Sequence, residues 1–239
     1  MWLSKLIIRY LTLYFKLKLL TMIKTLLSFI LTILSVYGYS QNKYNFDNTY
    51  PEGIYLSKED FLKKTPNENK ELIAKSIVPI SRKVIDTIPD QCMFFYKATD
   101  KKVNKAFAVC YKGNLYFQAF TILKNREKTD RAQSTNYPAS FSRVLIGGEN
   151  YLYTELELAN AWAQGTGYGI GGVAGGMVAA NAIKGKGVVW DHKSGEFNIF
   201  KNCKDFNAFI ADKYPNGVQD CEDRQPDMLK VRAAIEIIK

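Results

Sequence analysis

The sequence predicts an α+β fold, a mainly antiparallel sheet of hairpins and a meander with three or four helices. Three observations predict it. Between Cys92 and Leu158 several short runs rich in Val, Phe, Tyr and Leu are separated by polar turn clusters. Within Tyr151–Leu158 the residues alternate, with Leu152, Thr154, Leu156 and Leu158 on one face and Tyr151, Tyr153, Glu155 and Glu157 on the other. Helical spacing of apolar residues is confined to stretches outside these runs, near residue 60 and after residue 200, so helices and strands are segregated rather than alternating as in a parallel α/β sheet.

The first 40 residues contain no Asp or Glu. From Met22, a basic start at Lys24, an apolar run Thr25–Val36 and the small residues Gly38 and Ser40 have the three parts of an export signal, with cleavage before Gln41. The apolar run is shorter than the roughly 20 residues of a membrane span. Residues 1–21 are read as an upstream mis-start, with Met22 as the true start; the rival is a hairpin of two membrane segments, which Lys5, Arg9, Lys16 and Lys18 disfavour. No cysteine stands directly after the cleavage point, so no lipoprotein anchor is expected. Residues 41–239 then form a single domain, long enough for a real core.

Along that domain, Gly53–Leu56 reads as a strand. Ser57 caps a helix, with Asp60 three residues on and Phe61-Leu62 as its apolar face, and Pro66 stops it. Glu71–Ile80 is ambiguous between helix and strand. Cys92–Ala98, Ala106–Tyr111 and Leu115–Leu123 form a meander, its first turn near Lys101 and its second at Gly113-Asn114. Lys124–Ala139 is a polar loop. Phe141–Ile146 and Asn150–Leu158 make a second hairpin around Gly147-Gly148. Gly187–Trp190 and Phe197–Phe200 flank a turn at His192–Gly195. Cys203–Tyr214 is a helix ended by Pro215-Asn216-Gly217, and a last helix begins at Pro226.

The charge narrows the partners. Lys5, Arg9, Lys16, Lys18 and Lys24 lie in the leader, so 28 of the 33 basic residues remain against 23 acidic ones, a net charge of +5 instead of +10. That is ordinary for a soluble domain and makes no case for nucleic acid. All four cysteines, Cys92, Cys110, Cys203 and Cys221, follow the leader. In an oxidising compartment they permit two disulfides in three pairings. Local pairing is favoured: Cys92 with Cys110 if the first hairpin centres near Lys101, and Cys203 with Cys221 if the chain returns after Gly217. Four buried thiols are the alternative.

Gly165, Gly167, Gly169, Gly171, Gly172, Gly175 and Gly176 lie in an uncharged stretch from Leu158 to Ile183. Three readings compete. Gly167-x-Gly169-x-x-Gly172, followed by a helix through Ile183 and a strand ending at Asp191, has the order of a dinucleotide fingerprint, but no parallel strand leads into it. Gly167, Gly171 and Gly175 are four apart, as in a glycine zipper that lets another backbone or a membrane segment approach. In a helix, seven glycines cost about 7 kcal/mol against alanine, which only dense packing offsets. The third reading is a segment packed tightly on the protein's own sheet.

Other candidates are weaker. Glu155 and Glu157, about 6.6 Å apart by strand rise, could act as paired carboxylates, with Asp191 as a further acid. Glutamates on the wet face of a strand are far commoner. His192 is the only histidine and lies in a turn, too local with Asp191 and Ser194 for a triad. Asp220, Glu222, Asp223 and Asp227 lack the spacing of a calcium loop. No metal or other cofactor is expected. The cluster Lys101, Lys102 and Lys105 is a solvated turn that could touch anionic lipid.

The run Pro51–Pro66, with Gly53-Ile54-Tyr55-Leu56-Ser57 followed by Asp60-Phe61-Leu62, resembles the opening of a family of exported proteins of the Bacteroidetes phylum with no established activity. Asn114-Leu115-Tyr116 and the glycine-rich segment before Val188-Val189-Trp190-Asp191 are similar to that family too. The resemblance implies an envelope location and carries over no catalytic residue. The chain is thus expected to be an exported cell-envelope protein, periplasmic or outer-membrane-associated. Its expected role is a non-enzymatic binding or membrane-associated module that uses the glycine segment toward an envelope partner, a membrane surface or a second copy. The alternatives are an exported hydrolase and a dinucleotide-binding protein.

Overall fold

Ten strands, all paired antiparallel, make one sheet in the computed structural model, which describes residues 18, 21–24, 46, 48–77, 83–128, 133–160, 183–222 and 225–239. Two compact units are present, residues 1–44 and 45–239. In the first, Lys18 and Thr21–Lys24 are helical. No helix among the described residues is long and apolar enough to cross a membrane.

The second unit runs β1 (Gly53–Tyr55), α1 (Lys58–Leu62), β2 (Leu72–Lys75), β3 (Gln91–Tyr96), β4 (Ala108–Tyr111), β5 (Asn114–Gln118), α2 (Ala119–Lys124), β6 (Gln133–Ser134), β7 (Phe141–Gly147), β8 (Tyr151–Asn160), β9 (Ile183–Asp191), β10 (Glu196–Ile199), α3 (Cys203–Ile210), a 3-10 turn (Pro215–Gly217) and α4 (Met228–Ile238). The expected α+β class with a mostly antiparallel sheet is what is found.

β7 is the seam of the sheet. Its first residues pair with β5 on one edge (Phe117↔Ser142) and β3 on the other (Cys92↔Phe141). From Val144 on it pairs with β8, with an irregularity between Val144 and Ile146. Strands β2, β3, β7, β5, β4 and β1 therefore curl into a half-barrel, and β8, β9 and β10 extend from the seam as a second half.

Both faces of the β4–β5 hairpin are buried. Val109 and Tyr116 join Ile54, Phe94 and Phe141 in one core. Ala108, Leu115 and Phe117 join a second core with Phe61, Leu152, Leu156, Trp190 and Phe197. This is why the hairpin reads as two continuous apolar runs instead of alternating ones. Phe61 of α1 plugs the second core, with its ring centroid 5.0 Å from Phe107, 5.3 Å from Phe117 and 5.8 Å from Trp190. Burying such a ring stabilises by roughly 1.5–3 kcal/mol. The helix holding it is short and depends on its cap: Ser57 Oγ accepts from Asp60 N at 3.1 Å and donates to Asp60 Oδ2.

On the other face of β8, α4 packs across β7 and β8 and Phe209 of α3 meets Tyr151, and Tyr153, expected on a wet face, is fully buried. Gly187 makes this packing fit: a Cβ there would lie 2.9 Å from Phe200 and 3.0 Å from Tyr153. Cys203 and Cys221 are disulfide-bonded, closing the loop that returns from the 3-10 turn to the start of α3. Asn207 ties down the same loop, accepting from Gln219 N at 2.9 Å and donating to Gln219 O at 2.8 Å.

Several expectations are corrected. The β3–β4 hairpin does not form: β3 lies between β2 and β7, and Cys92 faces Phe141 while Cys110 faces Gly53 and Leu115. Cys92 and Cys110 are therefore buried free thiols. The β4–β5 turn is Lys112-Gly113, both at positive φ (49° and 72°), one residue earlier than expected, a shape that suits the strands' twist. The strand expected over Leu115–Leu123 stops at Gln118 and becomes α2. The loop expected over Lys124–Ala139 contains β6, paired with β8. The ambiguous Glu71–Ile80 contains β2. The last helix starts at Met228, because the Asp227 carboxylate caps it by accepting from Leu229 N at 2.9 Å.

Candidate functional site

The half-barrel has a mouth. The segment Pro66–Lys70 crosses from β1 toward β2, held by Ile54 N donating to Glu68 O at 2.8 Å and Asn67 N donating to Ile54 O at 2.9 Å. Gly53 permits this crossing: its φ is 137°, and a Cβ would meet Glu68 O at 2.6 Å. Beside the crossing a cleft of about 630 Å³ opens between β2 and β4. Leu72, Ile85 and Tyr111 supply its apolar wall, and Glu52, Lys70 and Glu71 its charged rim.

Three of the rim's charged groups are held from within. Both Glu52 carboxylate oxygens accept from the backbone N–H groups of Lys112 and Gly113 and so pin the β4–β5 turn. Lys70 pairs with Glu68 at 2.8 Å, which holds the Lys70 ammonium above its ordinary value and the Glu68 carboxyl below its own. Glu71 pairs with Lys97 at 2.6 Å, raising Lys97. Cys110 also borders the cleft, but burial, followed by Glu52, pushes its thiol up to about 11. It donates to Tyr50 O at 3.2 Å while Asn48 Nδ2 donates to its sulfur at 3.0 Å. Such a thiol stays protonated at neutral pH and is no nucleophile. The cleft thus joins an apolar wall to a rim on which Glu52, Lys70 and Glu71 are held by partners of the fold, with Asp86 and Lys112 also lining it.

No known protein-family model, curated protein or solved structure matches the chain. The roles of the remaining candidates therefore rest on their own surroundings.

Glu155 lies on β8 beneath α4. Arg232 donates to both its oxygens, at 2.6 and 2.7 Å, and Tyr153 Oη donates to Oε1 at 2.8 Å. Glu157 is exposed two residues further along, opposite Gly185. Asp191 is opposite Tyr151, four residues along β8 from Glu155, hence about 13 Å away by strand rise. Its Oδ1 accepts from Lys193 N at 2.8 Å and Ser194 N at 3.2 Å and shapes the turn to β10. The fold thus does not converge these three acids on one point. His192 stands beside Trp190, ring centroids 6.4 Å apart, and burial, followed by Lys64, holds it below its ordinary value. Among the described residues no group of three or more His, Cys, Asp or Glu could hold a metal ion.

All seven glycines from Gly165 to Gly176 lie outside the described residues. The strands on either side are described. β8 and β9 are direct antiparallel partners from Tyr151↔Asp191 to Ala159↔Ile183, and β9 already begins at Ile183, where a helix was expected. A dinucleotide fingerprint joins two parallel strands through a helix; the Gly167-x-Gly169-x-x-Gly172 run joins antiparallel neighbours, so it lacks that context.

The cleft was missed from sequence because its walls come from segments about 40 residues apart. The available signals were Gly53, whose backbone conformation is demanding, and the β2–β3 pairing hidden in an ambiguous run.

Proposed function

We propose that this chain is an exported cell-envelope protein whose role is non-enzymatic binding, with the half-barrel mouth as its ligand site. One observation carries the reading: the cleft stays open while Glu52, Lys70 and Glu71 on its rim are each held by a partner within the fold. The Cys203–Cys221 disulfide is compatible with an oxidising location outside the cytoplasm. The leader pattern and the resemblance to exported Bacteroidetes proteins point the same way. The glycine-rich segment remains, in this reading, a second contact element toward an envelope partner or another copy.

Cell fractionation with N-terminal sequencing tests the location. The expected result is an envelope-fraction protein beginning at Gln41 with one disulfide. A cytoplasmic protein that keeps residues 22–40 and four thiols would overturn it. The non-enzymatic part is tested by screening for hydrolysis of glycosides and esters. A turnover abolished by Glu155→Gln, Glu157→Gln or Asp191→Asn in a folded variant would replace binding with an exported hydrolase.

A further inference from the structure

α2 presents an unusual outer face. Ala119, Thr121 and Ile122 are buried, which turns Phe120 outward at 52% exposure, alongside Lys124 one turn later. Among the described residues Phe120 is the only exposed aromatic side chain. Leu56, 46% exposed, lies in the same groove between α1 and α2. That groove, about 500 Å³, is continuous through Lys58, Lys124 and Asn125 with a second of about 470 Å³.

The charges around this double groove are mostly of one sign. Lys58, Lys105, Lys124, Arg126 and Lys128 line it against Glu59 and Glu196. Lys58 is committed to the fold, donating to Gly195 O at 2.7 Å over the Trp190 ring, and Arg126 donates to Leu123 O. Lys105, Lys124 and Lys128 are exposed and make no ion pair among the described residues.

We propose that this face, with Phe120 and Leu56 beside Lys105 and Lys124 in one groove and Lys128 in the adjoining one, docks the chain on an anionic membrane surface. Two apolar side chains are too few for the buried centre of a stable protein interface, which is also depleted in lysine. They suffice for shallow insertion at the headgroup boundary, where lysine stems lie along the apolar surface and their ammonium groups meet lipid phosphates. The proposal is independent of the half-barrel mouth and of the export route.

The test uses the chain from Gln41 onward, because residues 45–239 form a compact unit with their own cores. Co-sedimentation is measured with phosphatidylglycerol-rich vesicles and with phosphatidylcholine vesicles. Binding to the anionic vesicles is expected to be at least about tenfold tighter and to fall steeply with salt. Lys105→Glu with Lys124→Glu is expected to lower it at least about tenfold, Lys105→Gln with Lys124→Gln less so. Phe120→Ser is expected to lower it several-fold without changing the salt slope. All these positions are exposed, and an unchanged thermal midpoint confirms folding. Absence of vesicle binding, equal binding to neutral vesicles, or indifference to the charge reversals overturns the proposal. So does release by inorganic phosphate at matched ionic strength with Phe120→Ser without effect, which would mean an ion site. Binding to soluble polyglutamate but not to vesicles would mean an acidic macromolecule instead.

Discussion

Arg232 of α4 meets Glu155 of β8 through two parallel contacts, Nε to Oε1 at 2.6 Å and Nη2 to Oε2 at 2.7 Å. The side chains are only 27% and 22% exposed, and the Tyr153 hydroxyl shares Oε1. This pair clamps the C-terminal helix onto the sheet. Arg232→Met leaves a half-buried carboxylate without its cation and is expected to destabilise by about 2 kcal/mol. Glu155→Gln alone should cost less, and the double variant less than the sum of the two. Urea unfolding of all three checks this, and strict additivity would mean that the two groups do not interact.

Gly187 is the position where β9 gives way to Tyr153 and Phe200. Gly187→Ala places a methyl within 3.0 Å of both rings. Overpacking of this kind costs about 1–3 kcal/mol. Gly185, two residues earlier, has nothing within 4 Å of a built Cβ, so Gly185→Ala is the matched control. The pair is compared by denaturant midpoint, with a loss expected at Gly187 alone.

The Cys203–Cys221 bond spans 18 residues of sequence. Replacing both cysteines by Ala frees that loop in the unfolded chain and is expected to cost about 3 kcal/mol. Thiol labelling of the native oxidised protein should modify neither Cys92 nor Cys110, both buried, whereas labelling in denaturant should modify both. Rapid labelling of the native protein would contradict the burial.

His192 is held below its ordinary value of 6.5 by burial first and Lys64 second. The unfolded chain therefore takes up this proton before the folded one does. Its contribution is fully present above about pH 6.5 and is lost as pH falls toward the depressed folded value. His192→Asn is expected to flatten the decline in stability between roughly pH 7 and roughly pH 5. Thermal midpoints across that range, for both proteins, measure the difference.

What could be read from the sequence is what the chain settles locally. The Ser57 cap with its Asp60 partner, the Tyr151–Leu158 alternation, the His192–Gly195 turn and the Cys203–Cys221 return all depend on residues close in sequence. Leu115–Leu123 defeated the reading because a mostly apolar run, broken only by Gln118 and Thr121, has no clear period, so the change from strand to helix at Ala119 leaves no mark. Cys92 defeated it because its neighbour, Phe141, is 49 residues away, while a nearer hairpin partner looked equally good. The two clefts were invisible for the same reason: each is assembled by strand pairings that no local pattern encodes, and a lysine that lines a groove has the same letter as one in open solvent.

β7 has one more consequence, for the order in which the molecule can be made. A chain growing from its N-terminus has produced β1 to β5, with Phe61, Phe94, Phe107 and Phe117, before Phe141 exists. Until that strand arrives, no strand pairing joins β3 to the β4–β5 hairpin, and the core that Phe94 and Tyr116 share lacks the Phe141 ring that completes it. The first half of the sheet is thus obliged to wait for the second, and a fragment ending before Phe141 would carry sticky, half-paired strands in place of a smaller folded protein.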